Sequence, residues 1–260
     1  MDKLVYHFAS FNLRYDNPHD GENGWAHRKA NVLDMVRHYG WDAIGMQEVC
    51  GSQLDDLSSL SDYSHEGIGR ENDRESEHVP IFYKKQIFRK EDGGTFWLST
   101  TPGRPSKSWG SDCKRICTWV KLRDGRNGKR FIFVNTHLDH VSEEARFQGA
   151  RIIAGWIAQH ASGLPVILTG DFNASPDERC YREIIAAGLA DARRAAEEGH
   201  YGPTGTFTGF DYAIPWEKLK EIDHIFVNRH VRVRKTRTVV DSFDRKYPSD
   251  HFPITAEVLL

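Results

Sequence analysis

Leu4 to Asn12 alternates apolar and polar positions as a half-buried strand does, and Trp25 to Tyr39 sets Ala26, Ala30, Leu33, Met35 and Val36 at helical spacing. Asp42 to Gln47 is a short apolar run, so the chain opens as strand, helix, strand, the start of an α/β layer. Further strands are predicted at Val79 to Lys84, Gln86 to Leu98, Ile116 to Leu122, Arg130 to Thr136, Pro165 to Thr169, Ile222 to Asn228, Val231 to Val240 and Ile254 to Leu260. Glu143 to His160 and Asp177 to Ala187 read as helices, the second opened by Ser175 as cap and Pro176 behind it.

Strands outnumber helices. Ile116 to Leu122 and Arg130 to Thr136 are joined by Asp124-Gly125 and Asn127-Gly128, which predicts an antiparallel hairpin. The pattern fits an α/β (α+β) fold, a four-layer sandwich of two stacked mixed β-sheets flanked by helices. No Gly-, Ser- or Pro-rich linker and no repeat divides the chain, so residues 1–260 read as a single domain.

Composition narrows the function classes. The 260 residues are 39% hydrophobic and 28% charged, enough apolar material for a sizeable core. A formal net charge of -2 gives the whole molecule no pull toward nucleic acid or an anionic membrane, so any such ligand must be held by local charge. Local positive charge lies at Arg28-Lys29, from Arg104 to Arg115 and from Arg232 to Arg237. No apolar run has membrane-spanning length, and Met1-Asp2-Lys3 leads straight into the first strand with no leader segment, which points to the cytoplasm. The four cysteines, Cys50, Cys113, Cys117 and Cys180, lack metal-site spacing and read as reduced. Nothing in the sequence indicates an obligate protein partner.

The informative feature is where polar residues end or interrupt apolar strands. Asn12, Glu48 and His137 each close such a run; Asp171 and Asn173 follow another; Asp223 and His224 sit inside one; Asp250-His251 precede the last. Buried alone, each would cost kcal/mol, so they pair with one another, with a metal or with water at an open strand end. Singly, a strand-end Asn or Asp is a turn former. Collectively, Asn12, Glu48 and Asp250 supply the oxygen donors that Mg2+ or Mn2+ prefers, and His137 and His251 supply proton carriers or phosphate donors. That combination suits hydrolysis at phosphorus.

The segments Phe8-Ala-Ser-Phe-Asn-Leu-Arg, Gly45-Met-Gln-Glu-Val, Asn135-Thr-His-Leu-Asp, Leu168-Thr-Gly-Asp-Phe-Asn, Glu221-Ile-Asp-His-Ile-Phe-Val and Pro248-Ser-Asp-His-Phe-Pro resemble, in order, the signature of the endonuclease/exonuclease/phosphatase superfamily, with its DNase I-like fold. The resemblance implies a Mg2+- or Mn2+-dependent phosphoric ester hydrolase. Asn12 and Glu48 would bind the metal, with Asp250 nearby. Asp171 would position or deprotonate water, or protonate the leaving oxygen, and Asn173 would orient it. His251, held by Asp223, would touch the scissile phosphate, with His137 a second phosphate-facing group. A carboxylate on an imidazole fixes its tautomer and raises its pKa, which favours the Asp223-His251 pairing on physical grounds too. His224 alternates to the opposite face and reads as structural.

Arg14 to Lys29 resembles a group of bacterial and fungal members, and its Trp25-x-x-Arg28 step resembles the helix start of poly(A)-removing deadenylases. Arg28 and Arg115 are candidate substrate-phosphate contacts, Arg115 because a guanidinium fork binds two phosphate oxygens. Trp97, Trp109, Phe207, Phe210 and Trp216 lie in or beside loops where an aromatic ring can stack a base. The expected activity is a phosphodiesterase or nuclease type, acting on single-stranded nucleic acid or a nucleotide-like diester. The alternative is a phosphomonoesterase on a sugar, inositol or lipid-headgroup phosphate.

Overall fold

The computed structural model of the protein describes residues 4–260; the opening Met1-Asp2-Lys3, on which the expectation of no leader rests, lies outside them. In chain order the elements are β1 (Val5–Asn12), α1 (Trp25–Tyr39), β2 (Ala43–Gln47), α2 (Gly51–Leu57), β3 (Tyr63–Glu66), β4 (Ile81–Lys84), β5 (Phe88–Trp97), β6 (Ile116–Asp124), β7 (Arg130–His137), α3 (Glu143–His160), β8 (Val166–Asp171), α4 (Arg179–Ala186), β9 (Leu189–Asp191), α5 (Ala192–Ala195), β10 (His200–Tyr201), β11 (Asp223–Asn228), β12 (Arg232–Thr238) and β13 (Ile254–Leu259). The strands form two sheets, β10-β12-β13-β1-β2-β4-β3 and β5-β6-β7-β8-β11-β9. Both are mixed: β1 runs parallel to β2 and β7 to β8, while β1 with β13, β6 with β7 and β8 with β11 are antiparallel.

Two facing apolar surfaces bring the sheets together. Tyr6 and Phe8 from one meet Phe88, Phe131, Phe133 and Ile225 from the other, all buried. The Phe8 and Phe133 rings meet edge to face at 5.4 Å, an arrangement that adds about 0.5–1.5 kcal/mol beyond burial. Outside the first sheet, α1 lays Val32, Met35 and Val36 on Phe11, Ile44 and Met46; outside the second, α3 lays Ile153 and Ile157 on Ile132, Val134 and Leu168. Helix, sheet, sheet, helix is the four-layer order expected. No helix among the described residues is long and apolar enough to cross a membrane.

Local chemistry sets the ends of these elements. Ser142 caps α3 by accepting from the Ala145 N–H at 3.1 Å, with Glu143 and Glu144 in the positive first turn. α1 stops at Gly40, whose φ of 54° closes it in the left-handed region.

Three expectations need correction. On α1, Ala26 and Ala30 face solvent, and Arg28 and Val32 occupy the buried stripe. Ser175 does not cap α4: its hydroxyl turns to Asp177, its carbonyl takes the Glu178 N–H, and the helix begins at Arg179. The short α2, β3, β9, α5 and β10 have no counterpart among the predicted elements.

Just inside the end that carries the polar strand termini, the sheets approach closely over Gly45. A Cβ there would lie 2.1 Å from Thr169 Oγ1 and 2.5 Å from Asn135 Oδ1. The space holds a buried polar cluster: Gln47 Nε2 donates to Asn135 Oδ1 at 2.7 Å and to Ser10 Oγ at 3.1 Å, and Thr169 Oγ1 donates to Asn135 Oδ1 at 3.0 Å. This cross-sheet cluster fixes the spacing of the strand ends above it.

Candidate active site

Topology gathers the polar strand ends. Asn12, His137 and Asp171 close β1, β7 and β8, Glu48 follows β2, Asp223 opens antiparallel β11, and Asp250-His251 lead into antiparallel β13. All therefore lie at one end of the sandwich, where β11 pairs Asp223 directly with Asp171. Apart from Glu48, which is partly buried, these residues are buried.

His251 Nδ1 lies 2.8 Å from Asp223 Oδ2, which also accepts the Thr206 hydroxyl at 2.6 Å. The His251 Nε2 is left facing the cleft, 3.7 Å from Asp171 Oδ2, with the Phe207 ring edge-on at 5.0 Å. Burial opposes charge on this imidazole, but Asp223, with Asp171 and Asp250 adding to it, carries its pKa well above the ordinary value. His251 is thus a charged donor at neutral pH.

Asp171 is pushed up to about 7, first by burial and then by Asp223. Its Oδ1 accepts the Asn173 N–H at 2.8 Å and its Oδ2 the Asn12 amide at 2.9 Å. A carboxyl poised near neutrality can take or give a proton in the working range. His137 behaves oppositely. Burial, then the Arg115 and His251 charges, drives its pKa well below the ordinary value, and its Nε2 takes the Asn173 amide at 3.0 Å. It enters the site as a neutral ring.

Glu48 and Asn173 hold left-handed backbones, at φ 60° and 47°, and so does Arg14 at 58°. Such strain at non-glycine residues, of order 1–3 kcal/mol each, persists where the surroundings enforce it, and here all three line one cleft of about 630 Å³. Through its Oδ1 Asn12 accepts the Arg14 N–H at 2.9 Å, while its NH2 also donates to Glu48 Oε1 at 3.0 Å. It braces two carboxylates, with one lone pair left for a cation. Asp250 is raised by burial, with Glu48 next among the carboxylates acting on it, and Arg14 stands 4.0 Å away. Glu48, His137 and Asp171 can place ligand atoms within 4.8 Å of one another. With Asp250 beside them on the same cleft, these acidic groups could hold a metal ion.

Arg115 lines the cleft, its Nε 3.5 Å from Asp139 and an NH2 on His140 Nδ1 at 2.9 Å. Arg28 does not reach it. Its guanidinium is buried and donates to the carbonyls of Leu13, Arg14, Asn23 and Pro248, so it ties loops together and cannot clamp phosphate. Of the candidate stacking rings only Phe207 lines the cleft; Trp97 is buried, its indole N–H on the Arg70 carbonyl. Sequence reasoning missed Arg14, Tyr15, Arg70, Glu77, His140 and Lys220, all cleft-lining and all from loops or loop edges. His224 points away, its Nε2 on the Ala174 carbonyl at 2.9 Å.

The profile of the Endonuclease/Exonuclease/phosphatase family matches residues 9–251. Among curated proteins, nocturnin of Drosophila melanogaster is 23% identical over 279 residues, covering 90% of this chain and 42% of that protein. The chain spans less than two thirds of the length of this relative and of the Xenopus laevis and human nocturnins. An endonuclease/exonuclease/phosphatase family protein of Bacteroides thetaiotaomicron superposes with a TM-score of 0.94 at 33% identity, covering 100% of this chain and 99% of that one. The mannosyl-6-phosphatase of Bacteroides thetaiotaomicron VPI-5482 superposes with a TM-score of 0.92 at 34% identity, covering 98% and 100%.

Proposed function

The chain belongs to the endonuclease/exonuclease/phosphatase family, whose members hydrolyse phosphate esters, and from that premise we propose that it is a phosphomonoesterase acting on a hydroxyl-rich substrate such as a sugar phosphate. The observation that carries this reading is the lining of the cleft. Glu77 and Asp112 stand on its walls among Arg14, Arg70, Arg115 and Lys220, with the Phe207 ring beside His251 and the Tyr15 ring beside Arg14. Carboxylates repel a polyanionic strand but accept hydrogen bonds from hydroxyls. The likeness to a mannosyl-6-phosphatase at 34% identity supports the same direction.

In this reading His251 donates from Nε2 to a phosphate oxygen, Asp223, itself held by the Thr206 hydroxyl, holds its ring, and Asp171 takes the proton of the attacking water. Water adds at phosphorus, the P–O ester bond breaks, and the proton taken up by Asp171 passes to the leaving oxygen, so that alcohol and inorganic phosphate leave. Mg2+ or Mn2+ bound by Glu48 and Asp250, with Asn12 as brace, would neutralise charge on the phosphate.

The second reading, cleavage of a nucleic-acid or nucleotide diester, is favoured by the likeness to nocturnin over 90% of the chain. A metal-supplemented panel of hexose phosphates, p-nitrophenyl phosphate, bis-p-nitrophenyl phosphate and an oligonucleotide separates the two. Phosphate release from hexose phosphates is expected; cleavage of the oligonucleotide with every monoester untouched would select the diester.

A further inference from the structure

Between Gly67 and His78 the chain leaves β3 and returns along the cleft. Its backbone holds itself: Arg70 N–H donates to the Glu77 carbonyl at 3.0 Å, Asn72 N–H to Gly69 at 2.8 Å, Ser76 N–H to Asp73 Oδ1 at 2.8 Å, and His78 pairs with Val49. Trp97 Nε1 pins the Arg70 carbonyl at 2.7 Å, and the loop packs so closely on α2 that a Cβ at Gly51 would lie 2.5 Å from the Arg74 carbonyl. With the loop braced this way, the side chains of Arg70 and Glu77 are not needed to hold it. They nevertheless form an ion pair at 2.9 Å, 23% and 19% exposed, on the cleft wall. The remaining Arg70 nitrogen contact is Cys113 Sγ at 3.3 Å, a weak acceptor.

We propose that the Arg70-Glu77 pair is a hydroxyl-reading subsite that receives the polyol leaving group of the substrate, resting on the phosphomonoesterase reading above. A planar guanidinium beside a carboxylate offers a donor and an acceptor about one hydrogen-bond length apart, which matches two neighbouring hydroxyl groups, each donor and acceptor at once. The pair is mostly buried, and its fixed geometry on the cleft wall suits it to recognition. The pair is also internally neutral, and so gains nothing from a second phosphate or a strand of them.

The test is steady-state kinetics of wild type, Glu77→Gln and Arg70→Lys on mannose 6-phosphate and p-nitrophenyl phosphate, with melting temperatures alongside. The subsite predicts that the ratio of kcat/KM for the sugar phosphate to that for the aryl phosphate falls at least about ten-fold in each variant, mostly through KM, as expected when a charged hydrogen-bonding partner is removed. An unchanged ratio, with both substrates falling in step or neither moving, overturns the subsite while leaving the phosphomonoesterase reading intact. Wild type that releases phosphate from neither substrate, yet cuts an oligonucleotide, overturns that reading and the subsite with it.

Discussion

The two ends of the sandwich treat a buried carboxylate in opposite ways. At the end away from the cleft, Asp124 receives the Tyr6 hydroxyl at 2.7 Å, the Arg126 N–H at 2.7 Å and the Arg126 guanidinium at 2.8 Å. Burial pushes its pKa up, but these partners more than offset it, and the group sits below the ordinary range. At the other end Asp171, likewise closed to solvent but set deeper in the protein, is pushed up to about 7, first by burial and then by Asp223. One acid is satisfied; the other is held in a state that a proton, a cation or a substrate relieves. Structural and functional acids in one core are told apart by their depth and their partners, and composition alone does not distinguish them.

Substitutions can break this contrast. The largest effect belongs to His251→Ala, which should lower kcat for phosphate release by about 10²–10³, the usual loss when a transition-state donor goes, with a cooperative melting transition at a lower temperature because Asp223 loses its buried partner. Next is Arg28→Lys. If its fork ties four loop carbonyls, the variant loses about 1–3 kcal/mol by denaturant unfolding, with KM for phosphate esters little altered; a KM effect without loss of stability would restore a substrate role.

Asp124→Asn should cost about 1–2 kcal/mol at neutral pH and spare activity. Its sign with pH follows from the lowered pKa: the advantage of wild type is full above the unfolded value near 3.9 and fades as pH falls through the lower folded value. Urea melts of both proteins between pH 3 and 7 read this directly. Smallest is Arg232→Ala, on an exposed strand where Glu197 already pairs the guanidinium. We expect a change within about 0.5 kcal/mol and none in turnover; a drop in activity would make the basic Arg232 to Arg237 stretch a substrate track.

Much of this arrangement is legible in the sequence. Long strands carry period-two patterns, and polar groups at the ends of apolar runs, such as Asn12, Asp171 and Asp223, mark the face where strands terminate together. What was hidden depends on contacts between distant segments. Arg28 looks like any surface cation in a helix until Leu13, Arg14 and Pro248 surround it. Edge strand β3 and helix α2 are too short to show a period. Arg70 and Glu77 sit seven residues apart in a polar loop whose path is set by Trp97 and Gly51, and the left-handed turn at Glu48 has no residue-type signal.

The contrast between the two ends is tested most directly by Asp171→Asn, measured for both stability and turnover. Burial and then Asp223 disfavour the ionised carboxylate, and on this account their relief outweighs the hydrogen bond and the attraction to His251 that the amide forfeits. In chelator at pH 8 the melting temperature should therefore rise, by roughly 2–4 °C for each kcal/mol relieved, and the gain should shrink as pH falls through 7 toward 4, where the wild-type carboxyl is itself protonated. In Mg2+ or Mn2+ the same variant should release phosphate from mannose 6-phosphate at least about 10³-fold more slowly. A lower melting temperature, or turnover close to wild type, would contradict the account.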